Sequence, residues 1–302
     1  MLDYPLLEAV AAVDREGSFE GAARALHVTP SAISQRVKLL EERVGTPLVV
    51  RGRPCTVTPA GRHLCRHVEQ VGLLERDLHG LLPAVTADAG PSRAAVLRVA
   101  INADSLATWF PGAMARFAAS DDTLIDVALD DEAHTAEWLR TGQVLAAVAA
   151  RAKPSPGCRS VPLGGLRYLA TASPAFVARH FADGVDAATL ARAPTLQLSR
   201  KDELQRRWLR RICHKDVEPP THGLPTAQAF LDAALAGVAW GMNPEPLVRP
   251  HIAAGRLVEL VRGTALEVPL HWHHALLAPA AVERLTRAVV AEARERLRPR
   301  RS

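Results

Sequence analysis

The run Ser18-Phe19-Glu20-Gly21-Ala22-Ala23-Arg24-Ala25-Leu26-His27-Val28-Thr29-Pro30-Ser31-Ala32-Ile33-Ser34-Gln35-Arg36-Val37-Lys38-Leu39-Leu40-Glu41 reads as two helices joined by a tight turn. Ser18 is placed to cap the first, in which Phe19, Ala22, Ala23 and Leu26 recur at helical spacing. The alanine pair lets a neighbouring helix approach closely. Thr29 is placed to cap the second helix, and Pro30 takes its first position, where a missing N–H costs nothing. Ile33, Val37, Leu40 and Val44 form one apolar stripe expected to face a core. Ser31, Ser34, Gln35 and Lys38 fall on the opposite face, with Arg36 and Arg43 at its flank. That face is short and polar, and Gln35 can pair bidentately with adenine. The pattern predicts a helix-turn-helix whose second helix enters a DNA major groove. An ordinary amphipathic helix in a helical domain shows the same periodicity, so the flanking segments have to decide.

On the N-terminal side, Pro5 to Arg15 reads as a helix that Gly17 stops. On the C-terminal side, Gly45 ends the polar-faced helix. Leu48-Val49-Val50-Arg51-Gly52-Arg53-Pro54 and Val57 then read as a small hairpin, with Arg51 and Arg53 near its tip, able to touch phosphates. Thr58 and Pro59 open a long helix. Along it Ala60, Leu64, His67, Val71, Leu74, Leu78 and Leu81 repeat every 3.5 residues on average, the spacing of a coiled-coil seam. Leu64, Val71, Leu74, Leu78 and Leu81 are therefore expected at a dimer interface, though such a helix can also pack back on its own domain. A dimer presents two recognition helices to a near-palindromic site.

The chain has 302 residues, 48 % of them apolar and 23 % charged, the composition of about two folded domains. The net charge of +5 is uneven. Residues 18–67 carry an excess of five positive charges and residues 282–302 an excess of four, leaving the rest slightly acidic. Local basic regions of this kind suggest a nucleic-acid footprint. No apolar run approaches the roughly 18 residues of a membrane span, and no export leader is evident. The four cysteines, Cys55, Cys65, Cys158 and Cys213, show no CxxC pair and no metal-ligand spacing. A cytoplasmic protein with reduced thiols, no metal and no cofactor is expected. GxGxxG, GxxxxGK[ST], HExxH and GxSxG patterns are all missing, so no catalytic residue is assigned and the chain is not expected to be an enzyme.

These residues carry a family resemblance. The segment Phe19 to Glu41, the following Gly45 and the Thr58-Pro59-Ala60-Gly61 start of the long helix resemble the LysR-type transcriptional regulators. Within that family the chain is most similar to the ArgP/LysG group. Markers are Leu48-Val49-Val50-Arg51, Val99-Ala100-Ile101-Asn102-Ala103-Asp104-Ser105-Leu106-Ala107-Thr108-Trp109-Phe110, Arg200-Lys201-Asp202, Pro225-Thr226 and Trp240-Gly241-Met242-Asn243-Pro244. The resemblance runs from Leu7 to about Leu276. It departs at His271-Trp272-His273-His274, where the group usually has Tyr-Trp-Gln after the Pro-Leu pair. The resemblance implies sensing of lysine or arginine, activation of a basic amino acid exporter gene, contact with RNA polymerase, and a homodimer or homotetramer.

The fold class expected is α/β overall. A winged helix-turn-helix domain (1–58) leads through a linker helix (59–85) and a hinge (86–93) to an effector domain (94–302) resembling a periplasmic binding protein. Its first subdomain would comprise about 94–167 and 268–302, its second about 168–267, with the basic C-terminal helix packed on the first. Apolar runs at 97–101, 124–129 and 144–150 alternate with helical segments, which predicts βαβ units and a parallel sheet. Ligands bind outside the carboxyl ends of such strands. The loop Asn102 to Ser105 could hold a carboxylate on its backbone N–H groups, with Asn102 or Ser105 adding a donor; Asp104 or Ser105 could equally serve only as the helix cap. A basic amino acid also needs acidic partners. Asp104, Asp130, Asp131 and Asp202 are the candidates, with Thr226 capping a helix that points into the cleft. Ala103 and Trp109, inside the same marker segment, complete the expected effector set, while His134 reads as a surface histidine. A different small-molecule effector remains an alternative. So does a small-molecule binder or enzyme whose N-terminal helices only oligomerise it.

Overall fold

The computed structural model describes residues 2–81, 95–129, 135–199 and 202–299, with side chains to Leu78 in the first stretch. Contacts divide the chain into two compact units, one built on the N-terminal helices and one on the strands and helices from residue 98 onward.

The first unit starts with α1 (Tyr4–Glu16), closed by Gly17 at φ 63°. In α2 (Phe19–Ala25) the Ser18 hydroxyl accepts from Gly21 N–H at 3.0 Å, and in α3 (Pro30–Val44) Thr29 does the same for Ala32 N–H at 3.2 Å. Both caps stand where the sequence put them. His27 turns the chain between the helices at φ 54°, and Gly45 stops α3 in the left-handed region. A hairpin of β1 (Val49–Val50) and β2 (Thr56–Val57) follows, then the 23-residue α4 (Pro59–Leu81). Leu7, Val10, Val13, Ala22, Ile33, Val37, Leu40 and Leu48 are buried in one core. Val44 departs from the expected stripe. It lies in the last turn before Gly45 and is 45 % exposed, so the packed part of α3 ends at Leu40. Gly61 is buried under the hairpin; a Cβ there would overlap the Leu48 carbonyl oxygen.

The second unit is α/β. Its strands are β3 (Val96–Ile101), β4 (Leu124–Leu129), β5 (Ala146–Ala149), β6 (Cys158–Ala172), β7 (Thr195–Gln197), β8 (Thr221–Gly223), β9 (Gly241–Pro244), β10 (Val258–Glu259) and β11 (Leu266–Ala275). Its helices are α5 (Ala103–Thr108), α6 (Phe110–Ala118), α7 (Thr135–Arg140), α8 (Pro174–His180), α9 (Ala187–Arg192), α10 (Leu204–Cys213), α11 (Ala227–Leu235), α12 (Glu245–Ala253) and α13 (Ala280–Arg296). The main sheet has the order β10-β6-β11-β5-β3-β4, with β9 also paired to β6.

The expected parallel sheet covers part of the strand order. β3 and β5 run parallel, but the long β6 and β11 run antiparallel to each other over Leu266↔Tyr168 to Ala275↔Cys158, and β11 is antiparallel to β5. The chain runs from β6 through β7–β10 and α8–α12 before β11 returns alongside it in the opposite direction. Ala100, Leu139, Val144 and Ala147 form one apolar cluster of this unit, and Leu169, Leu196, Phe230, Ala234, Val248 and Leu257 form another. α13 packs on α6. The buried Glu292 carboxylate meets Arg116 at 2.6 Å, which holds its carboxyl below the usual range. Trp272 Nε1 donates to Thr286 at 2.9 Å. Among the described residues no helix is long and apolar enough to cross a membrane.

Candidate functional site

In the first unit, Thr29, Pro30, Ser31, Gln35 and Lys38 are exposed on α3 and its cap, with Ser34 and Arg36 half-buried beside them. Lys38 pairs loosely with Glu42 at 3.8 Å, both largely exposed, an interaction of little energetic weight. Arg43 is drawn away to Asp3 at 3.2 Å. Arg51 and Arg53 are exposed at the hairpin tip, and the Arg51 guanidinium lies 5.0 Å above the Phe19 ring. A cation–π contact of this kind is worth about 0.5–1 kcal/mol at an exposed site and aims a flexible side chain. Glu41 ties the two elements together: its carboxylate accepts from Leu48 N–H at 2.7 Å and Val49 N–H at 3.2 Å. A convex helix with free hydrogen-bonding groups, flanked by a cationic hairpin, can read base edges and hold phosphates at once.

The heptad seam of α4 divides. Ala60 and Leu64 pack on the first unit's core and Val71 is half-buried, whereas Leu74 is 55 % and Leu78 47 % exposed. The Leu81 side chain lies outside the described residues.

In the second unit, a small cleft opens beside α5. Asp104, Asp202, Phe230, Met242 and Asn243 are among its walls. The α5 cap is Asn102, whose side chain accepts from Ser105 N–H at 2.8 Å, so neither Asp104 nor Ser105 is the cap. Asp104 instead accepts a 2.6 Å hydrogen bond from the Tyr168 hydroxyl on β6. Its carboxyl is enclosed by neighbouring atoms, and that desolvation raises its pKa; the Tyr168 hydrogen bond opposes the rise and the charge of Asp202 adds to it. Asp202 is held by its own loop, accepting from Leu198 and Leu204 N–H, each at 3.0 Å. Asn243 donates to Thr171 at 3.0 Å and to the Gly241 carbonyl at 3.3 Å. Its Oδ1 is thereby left buried without a partner, as is Ser105 Oγ. The cleft wall thus offers acceptors and negative charge, and a cation or a donor-rich group satisfies both.

Other members of the expected set stand elsewhere. Thr226 caps α11, accepting from Ala229 N–H at 3.2 Å, and it is the next residues, Ala227 and Phe230, that line the cleft. Trp109 is 2 % exposed, ends the short α5 and packs edge-on against Phe110 at 5.8 Å, and it is not among the cleft walls. Asp130, Asp131 and His134 lie outside the described residues. Tyr168, Phe230, Met242 and Asn243 were not foreseen as site residues. The available signals were the scarcity of tyrosine, two in the chain, and the Met242-Asn243 pair in an apolar strand.

Residues 5–62 match the family described as bacterial regulatory helix-turn-helix protein, lysR family, and residues 91–298 match the LysR substrate binding domain. The chain belongs to the LysR family. Its second unit is therefore the LysR effector-binding module, and its first the DNA-binding module of a transcriptional regulator, not an enzyme. The HTH-type transcriptional regulator ArgP of Pseudomonas fluorescens (strain Pf0-1) is 46 % identical over 274 residues, 91 % of each chain. The crystal structure of ArgP from Mycobacterium tuberculosis is 43 % identical, covers 99 % of this chain and 100 % of its own, and superposes with a TM-score of 0.75. A full-length LysG from Corynebacterium glutamicum with bound effector arginine is 36 % identical over 99 % of this chain and all of that one, with a TM-score of 0.65. The chain is a LysR-type regulator similar to the ArgP and LysG proteins.

Proposed function

We propose that the effector of this regulator is a basic amino acid, arginine or lysine, bound in the cleft at Asp104. The carrying observation is the buried acceptor pair: the Asp104 carboxylate, positioned by Tyr168, and the unpartnered Asn243 Oδ1. The arginine-bound LysG relative supports the same ligand class. The side chain's cation meets Asp104, and the backbone N–H groups of Ala103 and Asp104 at the start of α5 receive the ligand carboxylate. Ligand binding shifts the regulator between two arrangements of the lobes flanking β6 and β11, which requires different affinities for the two; a tenfold difference corresponds to about 1.4 kcal/mol.

On the DNA side, Gln35 with Ser31 and Ser34 reads base edges. Thr29 and Pro30 set the helix start, while Arg36, Lys38, Arg51 and Arg53 hold phosphates. The protein works in the cytoplasm as a homodimer or homotetramer joined through Leu74 and Leu78, with Leu64, Val71 and Leu81 on the same seam. It binds a near-palindromic promoter and activates a basic amino acid exporter gene through RNA polymerase. The domain limits proposed are 1–58, 59–85, 86–93 and 94–302. The test is calorimetric titration of the full chain with arginine, lysine and histidine. Saturable binding of arginine or lysine that disappears in Asp104→Ala is expected. Binding that Asp104→Ala leaves unchanged, or no binding of any of the three, overturns the assignment.

A further inference from the structure

Glu41 is one of only three acidic residues in the basic stretch 18–67, with Glu20 and Glu42. It stands in the last turn of α3, where the helix dipole disfavours a negative charge, and in a unit that binds a polyanion. Its hydrogen bonds offset that position. The Glu41 carbonyl accepts from Gly45 N–H at 2.8 Å and closes α3. One oxygen of its carboxylate, Oε1, accepts from both Leu48 and Val49 N–H. A single residue thus fixes the end of the reading helix and the entry of the hairpin. The Leu48 carbonyl turns to Thr58 N–H at 2.9 Å, at the start of α4, so the bonds of Glu41 are the link from β1 to α3. Leu48 and Val49 are buried, whereas Val50, Arg51, Gly52 and Arg53 are exposed. The direction of the exposed tip therefore follows from how its base is held.

We propose that Glu41 is a positioning residue for DNA binding: its carboxylate sets β1 against α3 and so holds Arg51 and Arg53 where they meet phosphates while α3 lies in the major groove. The inference rests on the reading of Arg51 and Arg53 as phosphate contacts. It opposes simple electrostatics in sign. An acid near phosphates repels them, so by charge alone every variant lacking the carboxylate binds DNA more tightly. If Glu41 works by reach, the length and the acceptor of the side chain decide the outcome. Asp keeps the charge but is one methylene short of the Leu48 and Val49 N–H groups. Gln loses the charge but keeps the reach and a carbonyl oxygen that can accept from both.

Fluorescence anisotropy of the full chain on a mixed-sequence duplex, across a salt series, separates the two accounts. Glu41→Asp is expected to bind about tenfold more weakly at low salt, with the slope of log K against log salt flattened by about 0.9–1.8, the worth of one or two phosphate contacts. Glu41→Gln is expected to keep the wild-type slope and to bind at least as tightly. Replacing Arg51 and Arg53 together by Ala weakens the wild type, and weakens Glu41→Asp much less, because the contacts are already lost. Circular dichroism confines the comparison to temperatures at which every variant is folded. Glu41→Asp with the wild-type slope, whatever its unfolding midpoint, overturns the proposal. So does Glu41→Gln falling with Glu41→Asp, or an equal cost of the arginine pair in both backgrounds. If the arginine pair costs nothing in the wild type, the phosphate reading itself fails and the proposal goes with it.

Discussion

Tyr168 donates a 2.6 Å hydrogen bond to Asp104, a residue 64 positions earlier in the chain, and so joins the long strand β6 to the first turn of α5 at the cleft wall. Tyr168 is 5 % exposed. Its hydroxyl leaves the carboxylate lone pairs it does not use to the cleft. Tyr168→Phe removes the hydrogen bond and keeps the ring. A loss of about 1–2 kcal/mol in arginine affinity is expected, five- to thirtyfold in Kd by calorimetry, with the fold intact by circular dichroism.

Asp104 itself costs stability while the cleft is empty. Its pKa in the folded chain is raised by burial, so the unfolded chain loses this proton at lower pH than the folded one, and stability falls as pH rises through that interval. Asp104→Asn retains an acceptor for Tyr168 without the charge. The variant is expected to unfold at a higher temperature than the wild type at pH 7, with the gain shrinking toward pH 4 as the wild-type carboxyl takes up its proton. It is also expected to lose arginine binding. An equal gain at both pH values would sink the electrostatic account.

In the DNA-binding module, Gln35 and Arg51 are expected to fail differently. Gln35→Ala should cost about 1–3 kcal/mol on the cognate duplex and little on random DNA. Arg51→Ala should weaken both and lower the slope of log K against log salt by about 0.9. Fluorescence anisotropy across a salt series distinguishes them, and equal losses on both duplexes for both variants contradict the assigned roles.

Leu78 is 47 % exposed, one turn beyond the 55 % exposed Leu74 on α4. Leu78→Asp puts a charge into the proposed coiled-coil seam, where an unpaired buried carboxylate costs several kcal/mol. Sedimentation is expected to show a monomer at micromolar concentration where the wild type is dimeric or larger. An unchanged assembly would remove α4 from the interface.

Gly61 admits no side chain, because a Cβ would overlap the Leu48 carbonyl oxygen. Gly61→Ala forces the hairpin off the start of α4 and should destabilise the DNA-binding unit by about 1–3 kcal/mol, seen as a lower unfolding midpoint and weaker DNA binding together.

The local structure of the first unit is legible in the chain because short-range chemistry sets it. Ser18, Thr29, Pro30, Gly17 and Gly45 cap and stop helices through contacts within four residues, and the stripe from Ile33 to Leu40 follows from helical period alone. The hairpin, the polar face of α3 and the long helix after Thr58 are readable on the same ground. Asp104, with Asn102 beside it, and Asp202 stand out as polar and acidic residues near the ends of two strands. Four things were decided only by tertiary packing. Pairing of β6 with β11 depends on contacts about a hundred residues apart, so strand direction had no local signature. Tyr168 and Asn243 reach Asp104's cleft from β6 and β9, which no spacing encodes. Trp109 closes α5 and lies in the core against Phe110. Val44 was left outside because α3 outruns the helices it packs on. Capping and periodicity act over one or two turns and survive in the one-dimensional text, whereas a binding site is assembled from side chains that meet only once the sheet has closed.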